Sequence, residues 1–484
     1  MIESRPSSVR KSYKNLINID RVASIPLYIQ IYDRFREVIA EGLLKPGDRV
    51  PSLRSLSAEL GIARGTIETA YEMLCGEGYF LAKGQAGTII APFLGKPASA
   101  LQQKNTSQNL YSNHDSVATK PPDPFQLGLP ALDAFPRKIW SKLGCRRLKS
   151  ATASDMRSPD PKGYLPLRQA LAAYLLISRG ISCKPSQIII TDGYKGTLDI
   201  ISRGFLKAND PIWVEDPSYP VTRNLLKAVG CVIMPIPVDA EGMVISAGIK
   251  SAPHASLAVV TPSHQSPLGM TLSLSRRLEL LKWVADNQAW IVEDDYDGEY
   301  RYSSRPLPAL KSLDCDDRVI YAGTFSKVLF PALRLAYLVV PESQVAHMDA
   351  ICTTFQSGCP WLTQATVTDF MVEGHFSRHI KKMRSLYSYR RRLLVDALTN
   401  AFGNQLSIEL QAGGMHLLVR LTGDYDDKQL VKHLNEHGLA VHALSNWRIE
   451  AGCGQGLLLG FTNIHSGQLA EALVDKLKAL LIKS

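Results

Sequence analysis

The sequence predicts a multidomain chain: a small helical head closed by a β-ribbon, then a large α/β domain ending in a smaller α+β subdomain. Three observations carry this. Apolar residues first recur at helical spacing between Pro26 and Leu74. A stretch rich in Pro, Ala, Gln, Asn, Ser and Lys follows over 93–124, with little periodicity. Beyond Phe125, short apolar runs alternate with amphipathic stretches, the pattern of a mostly parallel sheet covered by helices. The length of 484 residues suits two or three domains. With 45% hydrophobic and 21% charged residues, the composition argues against a disordered, collagenous or coiled-coil chain.

Residues 1–24 carry Arg5, Arg10, Lys11, Lys14 and Arg21 and read as a flexible basic tail. The head is expected over 25–92. Leu27, Ile31, Phe35, Val38 and Ile39 mark a first helix, closed by Gly42 and Pro46-Gly47. Leu53, Leu56 and Leu60 mark a second, with Ser52 as N-cap and Gly61 as C-terminal stop. A third starts near Ala63 and carries Ile67, Ala70, Tyr71 and Leu74 until Gly76 and Gly78 break it. Residues 79–90 read as two short strands around Gly84 and Gly87.

The segment 93–124 is expected to be a linker, leaving 125–484 as the second domain. Its expected strands are 188–192, 211–215, 231–236, 256–261, 290–293, 319–324 and 334–340, with amphipathic helices such as 274–287 between several of them. A long basic helix near 376–402 opens the smaller subdomain, about 376–484.

Several classes of function are disfavoured. The longest apolar runs are far too short to span a bilayer, and the N-terminal residues lack the apolar stretch of a secretory signal, so a cytoplasmic protein is expected. The eight cysteines form no CxxC pair and no Cys/His cluster with zinc spacing, so no metal site is expected. The net charge of +10 permits nucleic-acid binding, but residues 1–91 hold 12 basic and 10 acidic residues. The case for DNA therefore rests on pattern rather than bulk charge.

Three helices, a tight turn at Gly61-Ile62 and a β-ribbon fit a winged helix-turn-helix. Its recognition helix must present short polar and basic residues at its N-terminal end. Arg64 suits a guanine edge or a phosphate, and Thr66 a phosphate or a thymine methyl. Lys83 and Gln85 at the ribbon tip suit a minor-groove or backbone contact. The stretch from Pro46-Gly47-Asp48-Arg49-Val50-Pro51-Ser52-Leu53-Arg54 through Leu60-Gly61-Ile62-Ala63-Arg64-Gly65-Thr66 resembles the GntR family of winged-helix repressors. The resemblance implies DNA contacts by Ser52, Arg54 and Arg64, and departs from the family pattern at Val50 and at Ala63, where a serine is usual.

The polar residues that end the expected strands define a second site, because ligands of open α/β sheets bind beyond the carboxyl ends of the strands. Together they match what pyridoxal 5′-phosphate needs. Lys327 supplies an amine for a Schiff base with the aldehyde. Asp294 supplies a carboxylate for the ring nitrogen, and Tyr219 a stacking ring. Tyr296 can donate to the 3′-oxygen. Gly193-Tyr194-Lys195, Thr324 and Arg334 supply backbone N–H groups at a helix start, a hydroxyl and a guanidinium for the phosphate. His264 and His416 suit either the pocket wall or the packing behind it.

Residues 125–484 resemble fold-type I aminotransferases. Behind a GntR-like head they are similar to the MocR-type (GabR-like) transcription regulators, through VTPSHQSPLG at 260–269, EDDYDGEYRY at 293–302 and GTFSKVLFPALRLAYLVVP at 323–341. The resemblance implies a homodimer that binds operator DNA and uses the aminotransferase fold as a sensor of pyridoxal phosphate, or of an amine or amino acid that joins it at Lys327. It leaves an alternative, a working aminotransferase with an accessory DNA-binding module. Leu458 stands where catalytic aminotransferases carry a carboxylate-binding arginine, Ser266 where an asparagine is common, and Ser158 where many relatives carry a tyrosine. A leucine cannot clamp a carboxylate, so an amine or pyridoxal phosphate itself is the expected effector.

Overall fold

The computed structural model describes residues 13–21, 23, 25–92, 122–302, 308–423, 425–450 and 454–481. It divides into two compact units, 1–119 and 120–484. Most of the expected linker, and the first twelve residues of the expected tail, lie outside the described residues.

In the first unit α1 (Tyr13–Leu16) precedes α2 (Leu27–Ala40), α3 (Leu53–Leu60) and α4 (Arg64–Gly76). The ribbon pairs β1 (Phe80–Ala82) with β2 (Thr88–Ile90), Leu81 facing Ile89. Helix α3 begins where the Ser52 side chain accepts the Ser55 N–H at 3.2 Å, and ends at Gly61 in the left-handed region (φ 62°) that glycine adopts without a Cβ penalty. Phe35, Tyr71 and Phe80 meet edge-to-face at the centre, with centroids 5.0–5.7 Å apart.

The expected tail needs correction. Residues 13–21 pack on the head: Ile17 is buried among its core residues, and the Tyr13 hydroxyl donates to the Arg49 carbonyl at 2.9 Å. Arg21 Nη2 donates to the carbonyls of Leu60 and Gly61 at 3.1 and 3.0 Å, satisfying the end of α3. Leu16, Ile17 and Ile19 drive this docking, and counting charges alone hid them.

The second unit begins with α5 (Arg137–Lys149) and α6 (Leu165–Arg179). Next come β3 (Ile188–Thr191), α7 (Tyr194–Phe205), β4 (Pro211–Asp216), α8 (Pro220–Ala228) and β5 (Val232–Asp239). Then follow β6 (Gly242–Met243), α9 (Ile245–Ser251), β7 (Leu257–Val260), α10 (Leu274–Asn287), β8 (Trp290–Asp295), β9 (Val319–Thr324) and β10 (Ala336–Val339). The sheet runs in the order β3-β10-β9-β8-β7-β4-β5-β6. The inner strands β5, β4, β7, β8 and β9 are parallel, whereas β10 is antiparallel to both β9 and β3. Alternating strand and helix gives the parallel part its near-continuous apolar strands, and sequence periodicity carries no sign of the reversal at β10.

Helices α11 (Val345–Phe355) and α12 (Trp361–Val372) lead into α13 (His375–Phe402). The last part of the chain forms β11 (Leu406–Glu409), β12 (His416–Leu421), α14 (Asp427–Glu436), β13 (His442–Ala443), β14 (Leu457–Gly460) and α15 (Gly467–Leu481). Its antiparallel sheet runs β11-β12-β14-β13. Buried Tyr387, Leu394 and Leu398 of α13 pack with Leu417, Leu459 and Val474 in one core.

Candidate functional site

The carboxyl ends of the parallel strands open into a cavity of about 330 Å³. Its wall includes Tyr194, Lys195, Tyr219, Asp294, Tyr296, Thr324, Lys327 and Arg334. Gly193 lies behind the wall: a Cβ there would sit 3.3 Å from the Arg334 guanidinium carbon, so a side chain would crowd the arginine. Each residue assigned from the sequence to this site thus lies in or against one pocket. A larger open groove of about 770 Å³ on the first unit, lined by Arg36 and Tyr79, holds none of these groups.

Local structure explains each position. Gly193, at φ 102°, caps α7, so the helix starts at Tyr194 with its free N–H groups at the pocket. Asp294 follows the buried strand residues Ile291 and Val292 and is itself buried. Burial pushes its carboxyl up to about 7; the Tyr194 hydrogen bond opposes this, and the charges of Asp295, Glu215 and Asp297 add to it. The Tyr194 hydroxyl also lies 2.9 Å from Thr222 Oγ1. Tyr219 ends the turn before α8, 40% exposed, its centroid 6.3 Å from Tyr194 and 5.6 Å from Trp447. It is the most exposed tyrosine of the wall.

Lys327 Nζ donates to the Gly128 carbonyl at 2.8 Å. Burial pulls its pKa down, against the charges of Asp297 and Asp294. Thr324 Oγ1 accepts the Ser326 N–H at 3.1 Å, fixing the turn between β9 and the lysine. Tyr296 OH lies 2.9 Å from His264 Nδ1, which is 3.2 Å from Asp297 Oδ1. His416 lines the cavity, and its Nε2 lies 2.9 Å from the Pro267 carbonyl; burial, with the charge of His264, brings its pKa down to about 4.

Sequence reasoning missed Gly128, Asp297, Trp447 and His442, all in the wall. Asp297 had a signal, a further acid in the same buried run as Asp294. Gly128 had none, since it stands 199 positions before Lys327 in the chain. Leu458 is fully buried among Leu268, Leu418, Leu444 and Trp447, an apolar setting. Ser266 lines the cavity, and Ser158 is exposed on the second unit.

On the first unit, Arg54 on α3 and Arg64 at the first turn of α4 are exposed, and Thr66 is half-buried. Ala63 makes no side-chain cap. Ser52 is engaged in capping α3, and Lys83 is exposed at the ribbon turn. The Gln85 side chain lies outside the described residues.

Fold and pocket together define an aminotransferase-type domain behind a helix-turn-helix head. The pattern of the family described as aminotransferase class I and II matches residues 133–455, and that of bacterial regulatory proteins, gntR family, matches 27–90. The second unit is accordingly a pyridoxal 5′-phosphate-binding domain. The solved structure of LysN, the α-aminoadipate aminotransferase of Thermus thermophilus complexed with N-(5′-phosphopyridoxyl)-L-leucine, superposes with a TM-score of 0.66 and 25% identity. It covers 74% of this chain and 93% of LysN. The probable rhizopine catabolism regulatory protein MocR of Rhizobium meliloti is 33% identical over 478 residues, 96% of either chain. The pyridoxine biosynthesis transcriptional regulator PdxR of Corynebacterium glutamicum is 34% identical over 462 residues, 95% of this chain and 96% of PdxR. The chain belongs to the MocR-type family of DNA-binding transcription regulators, with a GntR-type head and an aminotransferase-like domain. Among the described residues no helix is long and apolar enough to cross a membrane.

Proposed function

We propose that this protein is a transcription regulator whose operator affinity is set by what occupies the Lys327 pocket: pyridoxal phosphate, or an amine that joins it there. The observation that carries the reading is the convergence of a buried lysine amine, a buried carboxylate and an exposed tyrosine on one cavity, behind a helix-turn-helix head. When bound, pyridoxal phosphate supplies an electrophilic aldehyde that amines attack.

The residues present suit that group. Asp294 would hold the ring nitrogen, Tyr219 would cover a ring face and Tyr296 would meet the 3′-oxygen. The phosphate would take the N–H groups of Gly193, Tyr194 and Lys195, with Thr324 and Arg334. Burial lowers the pKa of Lys327, which favours the neutral amine that can act as a nucleophile. The Gly193 position, where any side chain would press on Arg334, supports a cradle kept clear for an anion. On the head, Arg54, Arg64, Thr66 and Ser52 would meet the operator, with Lys83 and Gln85 at the ribbon.

A ligand can shift operator affinity only by binding two arrangements of the protein unequally. The buried apolar setting of Leu458 offers no cation to a carboxylate, which favours an amine or pyridoxal phosphate over an α-amino acid as effector. The pairing of two copies that the resemblance implies belongs to this reading. The protein acts in the cytoplasm, as a sensor rather than as an enzyme.

The test is a visible spectrum of the purified protein with pyridoxal phosphate, followed by borohydride reduction and peptide mapping, while operator binding is titrated with amines and amino acids. A reduced adduct on Lys327, absent from Lys327→Ala, together with effector-dependent operator affinity, is the expected result. A colourless protein with no adduct overturns the reading. Multiple-turnover formation of a carbonyl product with unaltered DNA binding would establish the aminotransferase alternative.

A further inference from the structure

The pocket holds a second carboxylate whose part is not accounted for. Asp297 is 2% exposed, and among the described residues neither of its carboxylate oxygens has a hydrogen-bond partner. It lies in the cavity wall with Lys327, and the nearest nitrogen that could pair with it is His264 Nδ1, at 3.2 Å. A buried carboxylate without hydrogen bonds is costly unless a cation offsets it. The titratable groups around it are Asp294, Tyr296, Tyr302, His264, His416 and Lys327. Of these, only Lys327 is ordinarily cationic at neutral pH.

Asp294 cannot serve as that counter-charge once it is engaged by a ring nitrogen. Tyr194 and Thr222 already hold its side of the pocket. Asp297 has no such engagement. His264 lies beside it, and the imidazole is packed against Gly414, where a Cβ would fall 2.2 Å from its Cε1.

We infer that Asp297 is a positioning residue of the cofactor site: its carboxylate, buried in the wall with Lys327, favours a proton on the lysine nitrogen once that nitrogen engages pyridoxal phosphate. The inference rests on the assignment of Lys327 as the attachment point. An anion beside a nitrogen favours its protonated form, so removing the charge lowers the pH at which the proton leaves.

The measurement is the pH midpoint of the visible spectral transition of the protein loaded with pyridoxal phosphate. Asp297→Asn should move it down by at least one pH unit, a tenfold loss of proton affinity, and Asp297→Ser should do the same. Asp297→Glu, which keeps the charge, should stay close to the parent. A parent-like midpoint in either folded neutral variant overturns the inference. If both neutral variants fold by circular dichroism yet take up no cofactor, retention by Asp297→Glu sustains it, and loss by Asp297→Glu as well defeats it. If neither neutral variant folds, the Asp297→Glu midpoint decides: a parent-like value sustains the charge requirement, and a drop of one unit or more defeats it. An unloaded, colourless parent protein would instead mark failure of the Lys327 assignment.

Discussion

The amine of Lys327 and the carbonyl of Gly128 meet at 2.8 Å, and a Cβ at residue 128 would lie 2.2 Å from that amine. Gly128 also sits at φ 65°, a region that costs an L-residue strain. The segment entering the second unit therefore passes close over the lysine amine at a position that favours glycine. Gly128→Ala is expected to weaken pyridoxal phosphate retention by more than tenfold and to cost about 1–2 kcal/mol of stability. Equilibrium dialysis and thermal melting check the two effects. Parent-like retention would show that Lys327 moves freely away from Gly128.

Asp294 bears on pH dependence. Its carboxyl sits near 7 when folded, against an ordinary value of 3.8, because burial disfavours its charge. The unbound protein therefore loses stability as pH rises from about 4 towards 7, where the unfolded chain ionises first. Asp294→Asn removes that loss. It should raise the unfolding free energy of the cofactor-free protein at pH 8 by an amount on the order of 1–4 kcal/mol, with little change at pH 4. The same variant should hold pyridoxal phosphate poorly. No gain at pH 8 would mean that Asp294 is solvated.

His416 acts in the opposite direction. Its folded pKa is near 4 against an ordinary 6.5, so the stability of the neutral buried ring is full above about 6.5 and is lost as pH falls towards 4. His416→Gln should flatten that acid limb of a stability profile by roughly 3 kcal/mol at most. An unchanged acid limb would place the acid sensitivity elsewhere, His379 and His442 being the other histidines among the described residues whose pKa burial lowers.

Arg64 stands exposed at the first turn of α4, where a recognition helix meets base edges or phosphates. Arg64→Ala should weaken operator binding by about 1–3 kcal/mol without lowering the melting temperature. Competition binding with specific and nonspecific duplexes separates a base contact from a phosphate contact. An unaltered operator affinity would move the DNA face to another part of the head.

Arg21 satisfies the carbonyls of Leu60 and Gly61 at the turn between α3 and α4. Arg21→Ala should lower head stability by about 1 kcal/mol and loosen that turn, seen as faster amide exchange at Gly61 and Ile62. Unchanged exchange would mean that Gly61 alone terminates α3.

Much of this protein was legible from its residues in order. The helix 274–287 and the strand 319–324 have the bounds that periodicity gave them. Helical and strand periods depend on neighbours a few residues apart, and so do Ser52 as a cap and Gly193 as the start of a helix. The lysine, the carboxylates and the phosphate-suited turns were legible because each terminates a strand, and strand ends converge in a parallel sheet. The docking of residues 13–21 was obscured by the charges around them, although Leu16, Ile17 and Ile19 were in plain view.

What the linear order alone determined was the set of elements and the chemistry each could bring. The tertiary structure decided the reversal of β10, the approach of Gly128 to Lys327 and the burial of the Asp297 carboxylate with no hydrogen-bond partner among the described residues. Each of these depends on packing between segments far apart in the chain. Burial also moves Asp294 up and His416 down in pKa, and a side chain's loss of water is a property of the space around it, which no neighbour in sequence specifies.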